Sequence, residues 1–395
     1  MARLIVALSG GVDSAVAAAR AVEAGHEVVA VHFALHGRVT PQSLGQPAAG
    51  TGDSTLPSPA LGDSRRVADA LGLPFEVWDL SEQFEREVVD DFLAEYAAGR
   101  TPNPCLRCNR TIKFGAALDR ALARGFDGVV TGHYARLVSR RDEESGQRRA
   151  CHLAGGSGVV ELRRARDLAK DQSYVLAVLS QHQLGHCWFP LGDTLKSEVR
   201  AEAAARGLPV ARRPDSTDIC FIPDGDAGGW LRQALGDRPG PIVDESGQAI
   251  GRHRGTFTFT IGQRRGLGLR RPAVDGQPRY VVGLDPIRQT VTVGPKERLR
   301  VTGLVAGRPT WTDGAAPPAV DSADGWAVLV QFRAHGQPQP ASLRRSVDPG
   351  QPPALSQALL AEFTEPVWGV APGQTAVFYD GDRVVGSALI EATRR

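Results

Sequence analysis

The sequence predicts a doubly wound α/β parallel sheet, followed by a small β-rich middle domain and a C-terminal β-barrel. Three observations carry that expectation. Apolar strand signals alternate with helical periodicity up to about residue 205, which is the pattern of a parallel sheet covered on both faces. After about residue 207, β-branched runs of period two take over, broken by Gly and Pro at roughly the 8–12-residue spacing of all-β domains. The 395 residues, 42% hydrophobic and 23% charged, suit two or three globular domains. We place them at 1–206, 207–285 and 286–395.

The elements follow in order. Leu4 to Leu8 is an apolar strand, and 14–24 a helix closed at Gly25. Further strands are expected at 27–33, 75–79 and 128–131, and helices at 64–71, 82–98, 111–124, 172–179 and 194–206. The Gly, Pro, Ser, Thr and Ala content of 36–62 reads as a mobile loop beside the first turn. Ser139 to Arg149 reads as a hairpin tip. Beyond 207, strands are expected at 256–261, 280–282, 289–293, 326–334, 374–379 and 383–390, with Asp380-Gly381-Asp382 as the final turn.

The first strand-to-helix turn is Ser9-Gly10-Gly11-Val12-Asp13-Ser14. Its glycines let the backbone approach an anion, and the helix N-terminus stabilises negative charge there. Neither GxGxxG nor GxxxxGK[ST] is present, so dinucleotide and Walker readings do not apply.

The net charge of +2 hides local asymmetry. From Ser246 to Val274 there is no acid, while Arg252, Arg254, Arg264, Arg265, Arg270 and Arg271 are present. Tyr96 to Leu118 is also acid-free and carries Arg100, Arg107, Arg110 and Lys113. Such stretches suit a polyanion. Only four of the 46 basic residues are lysine (113, 170, 196 and 296), so a lysine marks a position that wants a compact point charge. No run of 18 apolar residues and no signal peptide is visible, so a cytoplasmic protein without a membrane partner is expected.

Cysteines occur at 105, 108, 151, 187 and 220, too few for a disulfide scaffold in a chain of this length. Cys105 and Cys108 form a CxxC just before a predicted helix, near Arg107, Arg110 and Lys113. That setting predicts a depressed thiol pKa. A structural zinc site would want four ligands, and neither a second CxxC nor an HxxxH is expected to supply them. Cys151 and Cys187 read as small buried hydrophobes.

SGGVDS resembles the PP-loop of the ATP pyrophosphatases, an adenine nucleotide alpha hydrolase-like fold. Taken in order with TPNPCLRCNRTIKF (101–114), TGHYAR (131–136), KDQSY (170–174), DSTDICFI (215–222), FTIGQRRGLGL (259–269) and Pro372-Gly373-Gln374, it resembles the tRNA-specific 2-thiouridylases of the MnmA family over nearly the whole chain. The resemblance implies a sulfurtransferase that adenylates the C2 oxygen of the wobble uridine of tRNA and then delivers sulfur. It implies ATP, with Mg²⁺ at Asp13, against Ala7, Leu8, Ser9, Gly10, Gly11, Val12, Asp13, Ser14, Phe33 and Gly132. It places Asn103, Pro104 and Cys105 near the target uracil, and His133, Lys170, Asp171, Gln172, Arg333 and Gln374 on tRNA. Cys220 would carry a persulfide received from an upstream sulfur donor, and Cys108 would be its catalytic partner, leaving a Cys108–Cys220 disulfide to be reduced.

Three departures stand out. Cys105 occupies a position that is Asp in part of the family, which also offers Cys105, Cys108 and Cys220 as ligands for a [4Fe–4S] cluster with one open iron. Gln331-Phe-Arg-Ala-His335 keeps only Arg333 of a tRNA-contacting run. The 37–62 loop does not match. Two rival readings are another PP-loop adenylating ligase or amidotransferase, for which no glutaminase half is visible, and a non-catalytic RNA-binding protein.

Overall fold

The computed structural model describes residues 1–36, 59–141, 153, 158–215, 219–222, 225–269, 276–346 and 358–395. The expected 36–62 loop, the hairpin tip, Cys151, Arg270 and Arg271 fall wholly or largely outside them.

The N-terminal half begins with β1 (Arg3–Ala7), α1 (Val12–Glu23), β2 (Glu27–Ala34), α2 (Pro59–Ala70) and β3 (Phe75–Asp79). Two composite helices follow, α3 (81–97) and α4 (104–123). Each contains a π-helical stretch, Glu85–Val89 in the first and Asn109–Ala116 in the second. Then come β4 (Gly128–Val130), β5 (Arg136–Ser139), β6 (Val160–Arg163), α5 (Ser173–Leu176), α6 (Gln181–Gly185), β7 (Cys187–Trp188), α7 (Lys196–Ala205) and α8 (Ala227–Leu235). The strands order as β3-β2-β1-β4-β7, all parallel. Leu4, Ile5 and Val6 are all fully buried, as the centre of a two-sided sheet demands. Ile5 packs into the core under α3 and α4, while Leu4 and Val6 pack under α1 and α7. Strand order reverses at β1 and β4, so the crevice beyond their C-terminal ends is the natural ligand position.

The rest is β-rich. Strands β8 (Gly240–Val243), β9 (Ala249–His253), β10 (Tyr280–Asp285) and β11 (Thr290–Gly294) form a small sheet in the order β10-β11-β8-β9. Strands β12 (Arg300–Trp311), β13 (Trp326–Gln331), β14 (Gln339–Arg345), β15 (Leu359–Trp368), β16 (Thr375–Asp380) and β17 (Arg383–Arg394) follow. They run β12-β15-β14-β13-β16-β17, and β17 pairs back onto β12, closing a barrel. The β5–β6 hairpin of the N-terminal half joins this barrel where Arg163 pairs with Arg383.

Two expectations need correction. Thr256 to Ile261 is not a strand: Thr256–Thr258 is a 3₁₀ turn, and a further turn follows at Ile261. Phe257 packs with Phe92, Ile222 and Leu231, whereas Phe259 packs in the core of the small sheet. Anchoring alternate aromatics in two different cores overrides the period-two pattern. The second concerns the CxxC, which does not precede a helix. Asn103 caps α4 by accepting the Cys105 N–H at 3.0 Å, and Pro104 takes the first position, so both cysteines lie within the helix.

Gly132, just after β4, has no room for a side chain. A Cβ there would lie 2.6 Å from the Asp13 carbonyl carbon and 2.7 Å from the Ser14 nitrogen. Gly132→Ala is therefore expected to lower stability by about 1–3 kcal/mol by pushing the first loop off β4. Denaturant unfolding measures this, and an unchanged midpoint would show that the loop is free to move.

Candidate active site

The β1–α1 junction is held from several sides. Ser14 Oγ donates to the Gly11 carbonyl at 2.9 Å and accepts the Ser9 N–H at 3.3 Å. No side chain caps α1, whose first turn follows an extended Gly11. Gly10 has φ +74°, and a Cβ on it would meet the Ala60 carbonyl at 2.6 Å. Ser64 donates to the Leu8 carbonyl at 3.0 Å, and Arg213 donates to the Gly10 carbonyl at 3.0 Å while pairing with Asp63. Ala7 to Ser14 and Gly132 thus form one rigid cradle with a bare helix N-terminus, a geometry suited to phosphate. Phe33, near the end of β2, stacks on Trp78 at 6.1 Å.

A chain of charges leads away from this cradle. The Lys196 ammonium contacts both Asp13 carboxylate oxygens at 2.7 Å and Asp215 at 2.9 Å. Asp215 also accepts Lys170 at 2.9 Å and Arg200 at 2.6 Å. Burial pushes the Asp215 carboxyl upward, but the hydrogen bonds and charges of Lys170 and Lys196 outweigh it and hold its pKa below the usual range. Tyr134 donates to Asp13 at 2.8 Å, and burial with the Asp13 charge raises its phenol far above normal.

Asp215 opens the segment that carries Cys220. Its far end is fixed by Phe221, whose ring meets Phe84 at 5.8 Å, Phe92 at 5.3 Å and Trp230 at 5.3 Å. Cys220 is exposed, Cys105 is exposed and Cys108 is buried, all three as free thiols. Cys108 feels the charges of Cys220 and Cys105, Cys220 feels that of Cys105, and Lys113 is the cation that favours the ionised forms of Cys108 and Cys220.

The depression of the thiol pKa expected at the CxxC is not found for Cys108. Burial raises Cys108 to about 11, with Lys113 opposing and Cys220 and Cys105 adding to the rise. Cys220 is also raised, chiefly by desolvation. Cys108 lies beyond the first turn of α4, where the helix dipole has faded, and on its buried face. Arg107 is drawn away to the Glu87 carbonyl at 2.9 Å.

Among the described residues no three His, Cys, Asp or Glu side chains converge as metal ligands. Cys105, Cys108 and Cys220 do not meet as a [4Fe–4S] ligand set here. His182 and His186 have HxxxH spacing and ring centroids 4.8 Å apart, with no third ligand among the described residues. Cys187 is fully buried and bonds the Gln183 carbonyl, as a core residue should.

The remaining expected contacts serve the scaffold as well. His133 is buried between Phe114 and Phe189, bonds Thr131 at 2.7 Å, and is kept neutral by burial and by Lys113. Asp171 accepts from Arg164, Ala165 and Ser173, so its carboxylate holds its own turn. Gln172 accepts the Tyr134 N–H at 2.9 Å. Gln374 accepts the Ala371 N–H at 3.1 Å, and Arg333 bonds the Gly369 carbonyl. Lys196, Tyr134 and Asp215 were missed as site residues. The scarcity of lysine was the available signal for Lys196, while nothing local marks an ion pair between residues 183 positions apart.

The raised Cys108 pKa has a sign that can be checked. Below pH 9 its thiolate fraction should rise tenfold per pH unit. Peptide-resolved alkylation of Cys108 by a small reagent should therefore climb without plateau from pH 7 to pH 9, and a plateau near pH 7 would contradict the assignment.

Comparison with known proteins is consistent along the whole chain. Residues 2–224 match the family described as tRNA methyl transferase HUP domain, 229–295 its PRC-barrel domain, and 301–390 an aminomethyltransferase beta-barrel domain. The chain is 54% identical to a tRNA-specific 2-thiouridylase MnmA of Nocardioides sp., covering 100% of this chain and 99% of that one. It is 55% identical to the protein of that name from Acidothermus cellulolyticus, covering 100% and 98%. With the Streptomyces coelicolor protein of that name it shares 52%, covering 100% and 96%. At this identity over full length, with the PP-loop cradle and both cysteine segments in place, the chain belongs to the MnmA family of tRNA-specific 2-thiouridylases.

Proposed function

We propose that this protein is a tRNA-uridine 2-sulfurtransferase that uses ATP and a cysteine persulfide to make 2-thiouridine at the wobble position. One observation supports it above others: Lys196 ties Asp13 of the nucleotide cradle to Asp215 of the segment that presents Cys220. A nucleotide site joined to a mobile-sulfur site is what activation followed by thiolation needs.

In this reading the uracil C2 oxygen attacks the α-phosphorus of ATP and pyrophosphate leaves. Ala7 to Ser14, Phe33 and Gly132 would hold the nucleotide, and Asp13 would supply a carboxylate to its Mg²⁺ on giving up the Lys196 and Tyr134 contacts that now occupy it. C2 is now electrophilic, with AMP as leaving group. Cys220, loaded by an upstream sulfur donor, delivers sulfur to C2. In one route Cys108 first attacks the Cys220 sulfur, expelling hydrosulfide that adds to C2. In the other the terminal persulfide sulfur attacks C2, and Cys108 then displaces it from Cys220. Either way AMP departs, the C2=S bond remains, and an external thiol must reduce the Cys108–Cys220 disulfide. Burial keeps Cys108 protonated at rest, with Lys113 available to favour its thiolate.

The base must leave the anticodon stack. Asn103, Pro104 and Cys105 are its proposed neighbours. His133, Lys170, Asp171, Gln172, Arg333 and Gln374 form or support the tRNA surface, with the exposed Arg264 and Arg265 as phosphate clamps. Residues 1–206 would be the catalytic unit and the expected 207–285 unit the middle domain, which carries on through β11 because that strand pairs with β8 and β10, and the barrel from β12 onward would contact tRNA. No helix among the described residues is long and apolar enough to cross a membrane. A tRNA substrate and a reducible disulfide fit action in the cytoplasm.

Asp13→Asn should abolish tRNA-dependent pyrophosphate release while leaving tRNA binding near normal. Cys220→Ser should retain pyrophosphate release yet form no 2-thiouridine by nucleoside mass spectrometry. Thiolation by Cys220→Ser would overturn the sulfur-carrier role, and undiminished release by Asp13→Asn would overturn the nucleotide site.

A further inference from the structure

A cleft of about 150 Å³ opens between α4 and the barrel, away from the nucleotide cradle. Asn103, Arg107 and Arg110 line it from the α4 side, Asp91 and Glu95 from α3, and Arg308 from β12. The guanidiniums differ in their commitments. Arg107 donates to the Glu87 carbonyl and lies 3.7 Å from Asp91. Arg308 reaches Glu391 at 3.4 Å across an exposed edge, a weak pair. Arg110 is exposed and has no acid partner or side-chain hydrogen bond among the described residues. Its pKa is lowered by desolvation and by the charges of Arg107 and Arg308.

Two features of the backbone aim these side chains. Arg110 lies in the π-helical stretch of α4, a distortion frequent at functional sites. Arg308 has φ +53°, rare for a residue other than glycine, at a register shift between Gly307 and Thr310 in the β12–β17 pairing. A bulge of this kind re-aims a side chain. The acids of the lining are committed elsewhere, Glu95 to Arg100 and Asp91 to Arg107, so Arg110 is left without a counter-charge of its own, a cost that a bound anion would relieve.

We infer that this cleft is a phosphodiester site, in which Arg110 and Arg308 clamp a backbone phosphate of the RNA strand beside the target uridine. The inference rests on the proposed tRNA thiolation and adds a recognition element to it. A nucleic-acid phosphate fits better than an acidic protein surface for a positional reason. Asn103 lines the cleft and also caps Cys105, so the cleft borders the reacting base. A base drawn out of its stack needs its neighbouring backbone held, and a rigid guanidinium fork binds phosphate in two-pronged fashion.

The test uses full-length enzyme and an anticodon stem–loop RNA carrying one neutral methylphosphonate linkage at a time around the target uridine. Arg110→Gln should weaken binding of the unmodified RNA about tenfold at low salt. It should also reduce the slope of log affinity against log salt by ~0.7. One neutral linkage should produce the same loss in the wild type and no further loss in Arg110→Gln. Should Arg110→Gln fold poorly, the exposed Arg308→Gln reads the same contact. Additive losses at every linkage would overturn the inference. So would unchanged RNA binding with impaired sulfur loading of Cys220, which would make the cleft a protein-docking site. Absence of any tRNA-dependent pyrophosphate release by the wild type would instead overturn the parent reading, and the inference with it.

Discussion

Asp215 is the point on which the site depends. Its carboxylate takes Lys170, Lys196 and Arg200, and Lys196 is shared with Asp13. Lys196 is nearly buried, so its charge is screened little by water. Removing either carboxylate would leave Lys196 with only the other, breaking the link between them at a site where the lost pair is worth more than an exposed one. The ion cluster therefore fixes one end of the 215–222 segment to the nucleotide loop. The aromatic contacts of Phe221 fix the other end to α3 and α8. Between the two anchors Cys220 remains exposed, close enough to feel the charge of Cys105 and Lys113.

The barrel completes this arrangement. Val377, Tyr379 and Val384 belong to the same core as Cys108, Ile112 and Phe114 of α4. The Thr101 N–H bonds the Pro372 carbonyl at 2.9 Å, and Gly373, at φ +88°, leaves no space for a Cβ beside Arg100. Tyr174 donates to the Thr375 carbonyl, and Ser387 to that of Ala177. The cap of α4, and with it Cys105 and Cys108, is seated against the barrel. Distant parts of the chain thus set the position of the thiols, and burial by them raises Cys108.

Much of this was legible in the residues. The first loop, the parallel sheet, both cysteine segments and the final hairpin at 380–382 all carry local signals. What was not legible required long-range packing. The pKa direction of Cys108 turned on which face of α4 is covered, and charge counting in TPNPCLRCNRTIKF pointed the wrong way. Arg107 and Arg110, read as activating neighbours, face Glu87 and the barrel cleft instead. Phe257 and Phe259 sit two residues apart as strand residues would, yet they enter separate cores. The Lys196–Asp13 pair spans 183 positions, which no window of sequence reveals.

That Asp215 holds Cys220 in reach of Cys108 is the proposal on which the sulfur chemistry rests. It is tested most directly by the rate at which a mild thiol oxidant closes the Cys108–Cys220 disulfide, followed by mass spectrometry. A single intramolecular bridge is expected in the wild type and, for Asp215→Ala, closure slowed by roughly tenfold or more as the effective concentration of Cys220 falls. Alkylation of Cys108 by itself should be unchanged. Equal closure rates in the two proteins would contradict the account.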